Sequence, residues 1–263
     1  MVYPYMLDSL ASRTGRAVPY LTVVTDSFVI NKSWLCSKSP LWAVTDPWTR
    51  AIMEEKGLPQ DRLRVTGFPV NPVLGALAKE HPLSWKEGEP FRVLYFAQRS
   101  ARHARAELAG MLDANPALHV TCILGRRFRR IYPRIRDLRA RYGRRLTVRG
   151  WTRRVPSYLA ASHVVVGKAG GATVHEVLAA ARPMLVNFLL PGQEEGNTRL
   201  LEKLGGGGHV PDVRALASAL QEMMADGGAQ WRRMHENLLR AGMTGGSGRI
   251  ADLALKLAEE HTN

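Results

Sequence analysis

The chain is poor in cysteine, in acidic side chains and in long apolar runs, and each shortage excludes something. Two cysteines, Cys36 and Cys122, in 263 residues are too few for a disulfide framework or a cysteine-built metal site, and they suit a reducing compartment. No uninterrupted apolar stretch approaches the ~20 residues that a membrane-spanning helix needs, so no transmembrane anchor is expected. Residues 1–16 (MVYPYMLDSLASRTGR) lack a basic start followed by an apolar block, so no secretory signal peptide is expected either. With 45% hydrophobic and 23% charged residues, the chain has the composition of a soluble globular protein with one large domain or two small ones.

The acid shortage is local. Against 37 basic side chains stand 23 acidic ones, a balance of +14, and residues 126–154 alone hold thirteen arginines with one acid, Asp137. Ile131, Ile135, Leu138 and Tyr142 recur there at helical spacing, which buries one stripe and turns the arginines outward. Such lopsided charge repels itself unless a counter-charge is supplied, so the Arg126–Arg154 belt points to an anionic surface as partner. A non-catalytic grip on nucleic acid is the competing reading. It is not favoured, because few aromatics interleave the arginines and no nucleic-acid motif is present.

From Phe91 onward short apolar runs alternate with helical patterns. Strands are expected at Phe91–Ala97, Leu118–Leu124, Leu146–Arg149, His163–Gly167 and Met184–Phe188, with helices near 101–114, 130–142, 155–161 and 171–181 between them. Four more helices follow, near 193–204, 213–225, 229–240 and 247–260. The rhythm is that of an α/β domain with a doubly wound parallel sheet. The first part of the chain reads as α/β too, with strands at Tyr20–Thr25, Leu41–Thr45 and Leu63–Thr66 and a helix at Pro47–Lys56, but it is too short for a full sheet. This gives a partial N-terminal domain over 1–75, a linker over 76–90 within the proline-bearing stretch 67–90, and a nucleotide-binding domain over 91–263.

Several tempting motifs fail. Ala179 stands where a zinc-protease signature starting at His175-Glu176 needs its second histidine, Ser162 stands where a P-loop needs glycine, and Arg249 breaks the nucleophile-elbow pattern of residues 245–249. That last stretch reads as a flexible turn. No Asp-x-Asp pair offers a metal–diphosphate clamp, and neither a metal nor a cofactor is expected.

What remains is VGKAGGATVHEVLAAARPMLVNFLLPGQEEGN, residues 166–197. A strand ends at Gly167, Gly170-Gly171 turn into a helix, and the free amides and dipole of that helix start form an anion site. Thr173 adds a hydroxyl, and Glu176, one turn in, is placed for a ribose diol. In the next turn Gln193 and Glu194 offer the amide and carboxylate that sugar hydroxyls require. In open α/β sheets ligands bind at such strand ends.

These strings, with Thr25-Asp26, Trp34 and RVTGFPVNP (64–72) upstream, resemble the family 28 glycosyltransferases, and among them the monogalactosyldiacylglycerol synthases and processive diacylglycerol glucosyltransferases. The resemblance implies a GT-B fold: two Rossmann-like doubly wound domains, the N-terminal one incomplete here, with the active site between them. It implies that Gly170, Gly171, Ala172 and Thr173 hold a diphosphate, Glu176 the ribose, and Gln193 and Glu194 the hexose. Asn197 would brace the sugar loop and Lys168 contact phosphate, while RGWTRRVPSYLAAS (149–162) would face the uracil with Trp151 and Thr152. The family's N-terminal glycine-rich loop with its histidine has no counterpart at the start MVYPYML, which reads as a later strand of that domain. The chain is therefore expected to be a truncated or weakly active form with its catalytic base unassigned and Asp26 the one weak candidate. After the Phe91 strand, Ala97-Gln98-Arg99-Ser100 replace the family's glycines, leaving Arg99 or Ser100 to meet an anion. The implied activity is hexosyl transfer from a UDP-hexose to a diacylglycerol-type lipid, at the cytoplasmic face of a membrane on which the enzyme sits peripherally. A UDP-sugar 2-epimerase on the same architecture is the alternative.

Overall fold

The computed structural model describes residues 2–16, 18–80 and 83–262. Two parallel sheets follow one another along the chain. The first unit opens with α1 (Val2–Thr14) and then runs β1 (Leu21–Val23), β2 (Leu41–Val44), α2 (Pro47–Glu55) and β3 (Leu63–Val65). Its three strands lie side by side in sequence order, all parallel. Asp46 starts α2 by accepting from the Thr49 amide, with Pro47 at the first helical position, where no N–H is needed.

Next come α3 (Val73–Glu80), β4 (Phe91–Phe96), α4 (Ala101–Ala114), β5 (Leu118–Ile123), α5 (Phe128–Ile131), α6 (Arg136–Tyr142) and β6 (Leu146–Arg149). The other half of that sheet follows as α7 (Val155–Ala161), β7 (Val164–Lys168), α8 (Gly171–Ala179), β8 (Met184–Phe188), α9 (Gln193–Lys203) and β9 (Gly207–His209). The chain closes with α10 (Val213–Met224), α11 (Ala229–Ala241) and α12 (Gly246–Thr262). The strands lie in the order β6-β5-β4-β7-β8-β9, all parallel, so the winding reverses between β4 and β7. Val93 and Tyr95 pack on one face with α4 and α10 while Leu94 packs on the other with α8 and α9, the alternation that a sheet covered on both faces requires. Val164, Val165 and Val166, at the centre, are wholly buried.

Six expectations need correction. The opening residues form helix α1, not a strand: Ser12 and Thr14 hydroxyls donate back to the Asp8 and Leu10 carbonyls, and Pro4 falls in the first turn, where the missing N–H costs nothing. The stretch expected as linker 76–90 begins inside α3, and residues 81 and 82 of it lie outside the described residues. The boundary at residue 75 gives way as well, because Val70 and Leu74 join the core of the second sheet. The helix expected over 130–142 breaks into α5 and α6 across a 3-10 turn at Tyr132–Arg134, because Pro133 has no N–H to continue the ladder, although Ile131, Ile135, Leu138 and Tyr142 are buried as the spacing requires. A sixth strand, β9, arises from a glycine run. Finally, the turn before α12 is pinned: Ser247 Oγ donates to Val70 O (2.5 Å) and Arg249 Nε to Thr66 O (2.6 Å), carrying α12 back against β1.

Candidate functional site

The site gathers at the carboxyl ends of β4, β7 and β8, where the winding reverses. After β7 the chain passes Ala169 and Gly170 into α8. The main-chain N–H groups of Gly171, Ala172 and Thr173 have no acceptor among the described residues; the first amide of the helix to find one is Val174, on Gly170 O (2.9 Å). These orphan donors and the helix dipole present a ready site for an anion. The Gly171 backbone runs so close to the first domain that a Cβ there would stand 3.0 Å from Thr25 O. Glu176 projects from the next turn, half-buried and without a hydrogen-bond partner among the described residues, and burial raises its pKa. The Thr173 hydroxyl is likewise unpaired among them.

In the neighbouring turn after β8 Gln193 and Glu194 are both engaged. Gly192 enters it at φ 96°, a conformation that favours glycine. Gln193 Nε2 donates across the interdomain cleft to Asp26 Oδ2 (2.9 Å), which also accepts from Trp34 Nε1 (2.6 Å). Glu194, buried, accepts from the Leu190 amide (2.7 Å) and pairs with Lys168 Nζ. Asn197 Nδ2 donates to Ala169 O (3.0 Å), tying α9 to the turn after β7, and its Oδ1 is buried without a partner among the described residues. Asp26, expected near the acceptor, thus sits three residues past β1 and faces the turn after β8.

The cleft is closed by groups that sequence reading missed. His175, on the inner side of α8, places Nε2 3.2 Å from Ser27 Oγ, which lies 3.0 Å from Thr45 Oγ1; that hydroxyl donates to Asp46 Oδ2 (2.7 Å). The His175 ring stacks on Phe68 (4.4 Å between centroids), and burial, opposed only in part by Asp46, lowers its pKa to about 4, so it is neutral. Close approach is licensed by glycine: a Cβ on Gly196 would stand 1.9 Å from Ser27 O, and one on Gly246 2.1 Å from Phe68 O. The sequence carried a signal in those glycines, but not the identity of the atoms they admit.

At the winding reversal itself lies a cavity of about 430 Å³ lined by Phe96, Gln98, Ile123, Leu124, Arg127 and Lys168 among others; Lys168 comes from the expected donor-binding set, Gln98 from the loop after β4 and Arg127 from the arginine belt. The loop after β4 bounds it. Arg99 lies over the Phe188 ring (5.4 Å) and reaches Glu107 (3.4 Å), while Ser100 caps α4. Glu107 is buried, accepting also from Tyr95 Oη and from Asn187 Nδ2 (2.9 Å), so this network holds the loop from below. Trp151 stands apart, 60% exposed with the Arg153 guanidinium over its ring; the Thr152 hydroxyl accepts from the Arg154 amide (3.0 Å).

No protein-family model matches the chain. Among curated proteins it is 24% identical over 256 residues to the processive diacylglycerol beta-glucosyltransferase of Bacillus subtilis, a match covering 95% of this chain and 66% of that protein. It is 25% identical over 262 residues to the "probable monogalactosyldiacylglycerol synthase 2, chloroplastic" of Oryza sativa, covering 92% of this chain and 50% of that one. The chain thus spans about half to two thirds of the length of these relatives. Among solved structures it resembles Acinetobacter baumannii MurG (TM-score 0.67, 15% identity, 94% of this chain and 69% of that one). It also resembles the Anabaena protein HepE crystallised with UDP (TM-score 0.60, 14% identity, 96% and 75%). The fold is GT-B, and the likeness to the glycolipid-synthase branch of the family 28 glycosyltransferases, read first from the motifs, is shown by these relatives. Among the described residues no helix is long and apolar enough to cross a membrane.

Proposed function

We propose that the chain binds a UDP-hexose on its second sheet and serves transfer of the hexose to a lipid acceptor of the diacylglycerol type. The carrying observation is the uncapped start of α8, with Glu176 one turn in and without a partner among the described residues, beside the point where the winding reverses. In this reading the amides of Gly171, Ala172 and Thr173 take the diphosphate and Gly170 admits it closely, with the Thr173 hydroxyl and Lys168 assisting. Glu176 takes the ribose diol. Gln193 and Glu194 turn from Asp26 and Lys168 to the hexose hydroxyls, while Asn197 keeps the two turns together. The uracil falls to the main chain of the Gly150–Trp151 segment, flanked by Thr152.

The lipid hydroxyl oxygen attacks the anomeric carbon, the bond from that carbon to the diphosphate breaks, and the hydroxyl proton leaves to a base. Asp26, across the cleft from the sugar turn, is the carboxylate assigned to the acceptor side. The charge that grows on the leaving UDP is met by helix-terminal amides in place of a metal ion, donors already oriented before reaction. The arginine belt holds the protein peripherally on anionic lipid at the cytoplasmic face, each exposed arginine contributing about 1 kcal/mol near such a surface.

Calorimetric titration of the folded protein with UDP, UDP-glucose and UDP-galactose tests the donor site: heat is expected with UDP, and its absence with all three overturns the reading. Labelled hexose appearing on diacylglycerol tests transfer. Release of UDP together with an epimerised sugar from UDP-N-acetylglucosamine, with no lipid present, would instead favour the 2-epimerase alternative.

A further inference from the structure

At the opposite, amino-terminal end of the same sheet is a second basic cavity that the proposed reaction does not use. By register, Arg92 of β4 stands beside His119 of β5, and Thr121 of β5 beside Thr147 of β6, all on the face opposite Val93 and Val120. In a sheet wound on both faces such positions ordinarily carry aliphatic side chains under a helix. Here they are polar, and short α7 leaves beside them a cavity of about 320 Å³, to which Arg144, Arg145 and Tyr158 also contribute. Among the described residues no carboxylate lines it. Like charges are gathered without a counter-charge, and the cost shows on His119, whose pKa is lowered by burial and then by Arg145 and Arg92.

Two of the guanidiniums are already immobilised. Arg92 donates through Nε to Ala161 O (2.6 Å), and Arg145 through Nε to Leu118 O (3.2 Å) and through Nη2 to Asn115 O (2.8 Å) and Leu112 O. Each keeps its Nη1 donors unpaired among the described residues, and guanidiniums fixed in this way lose little further freedom on meeting a ligand. The Arg144 guanidinium and the hydroxyls of Thr121, Thr147 and Tyr158 are unpaired among the described residues as well. We propose that this cavity is a binding site for a phosphate group, carried by a small phosphate ester or by a lipid headgroup. It lies about 20 Å from the donor turns, six strand residues at ~3.3 Å each.

The imidazole of His119 reports on this place alone, so the outcome is independent of whether UDP binds. The His119 ring proton, assigned with His119→Gln, is followed by NMR through a pH titration of the full chain. The arms are chloride, inorganic phosphate, glycerol 3-phosphate, and vesicles of phosphatidylcholine with or without phosphatidylglycerol. A phosphate seated among these arginines should raise the His119 midpoint by about one pH unit, as an opposite charge within ~4–6 Å does. Arg144→Ser, a change at an exposed side chain whose fold circular dichroism can verify, should weaken the response at least several-fold. Response to the soluble esters identifies a free phosphate ester as the source, and response only to phosphatidylglycerol vesicles identifies a headgroup. A midpoint unmoved by every probe, or an Arg144→Ser response equal to that of the unaltered chain, overturns the site.

Discussion

The turns that open α8 and α9 occupy equivalent places in the sheet yet are prepared differently. Each follows a parallel strand, each enters its helix through glycine, and each faces the loop after β1. Among the described residues the α8 amides and Glu176 have no partners, whereas at α9 Gln193 and Glu194 are already bonded to Asp26 and Lys168. A ligand fills the first turn but must exchange bonds in the second. Exchange of one hydrogen bond for another within the protein nets little, while the open amides at the first turn give up only water to a ligand and gain charge-assisted bonds. Affinity should therefore reside in the first turn and selectivity in the second.

The largest effect concerns how α8 is seated. His175 is neutral with a pKa of about 4 when folded, against about 6.5 unfolded, so below pH 6.5 the unfolded chain takes up a proton that the folded chain refuses. Stability is full above pH 6.5 and falls as pH drops toward 4, by about 3 kcal/mol from this group. Urea melts at pH 7.0 and 4.5 should show the loss. The slope should be shallower in His175→Gln, leaving a residue from His163, whose pKa of about 3 acts with the same sign. An unchanged slope would show that His175 is not the group whose burial sets the pH dependence. Next, Gly171→Val sets a side chain against Thr25 O, displaces the start of α8 with its amides, and should weaken UDP about 100-fold by calorimetry, the scale of ~2–3 kcal/mol for charge-assisted bonds.

Glu176→Ala should weaken UDP about tenfold, near the low end of a bond to a charged group. Smallest of all, Gln193→Ala should leave UDP unaltered and weaken UDP-hexose by about threefold, because losing the sugar contact also spares the Asp26 contact that binding must break. If Gln193→Ala cost more than Glu176→Ala, the contrast between the turns would be reversed.

Much of the second sheet is legible from local pattern. Its central strands β7 and β8 are apolar runs buried on both faces, and Val164–Val166 could hardly be anything else. β9 is not legible, because glycine is depleted in strands and local preference argues against it; it forms because a Cβ on Gly207 would stand 1.8 Å from Met184 O, so only glycine pairs there. α12 returns to β1 on bonds from Ser247 and Arg249 to carbonyls over 170 positions away, which no window of sequence contains.

The site divides along the same line. Residue order alone determines that a strand meets Gly170-Gly171 and a helix, and that Glu176, Gln193, Glu194 and Asn197 follow at their spacings, because short-range sterics and helical period dictate it. Whether each group is free or engaged is decided only in three dimensions. Asp26 and Gln193 stand 167 positions apart, and Ser27 and His175 148. Their pairing depends on how closely two domains pack, which is set by shape and by the glycines at the seam, and a partner so distant along the chain leaves no periodicity to read.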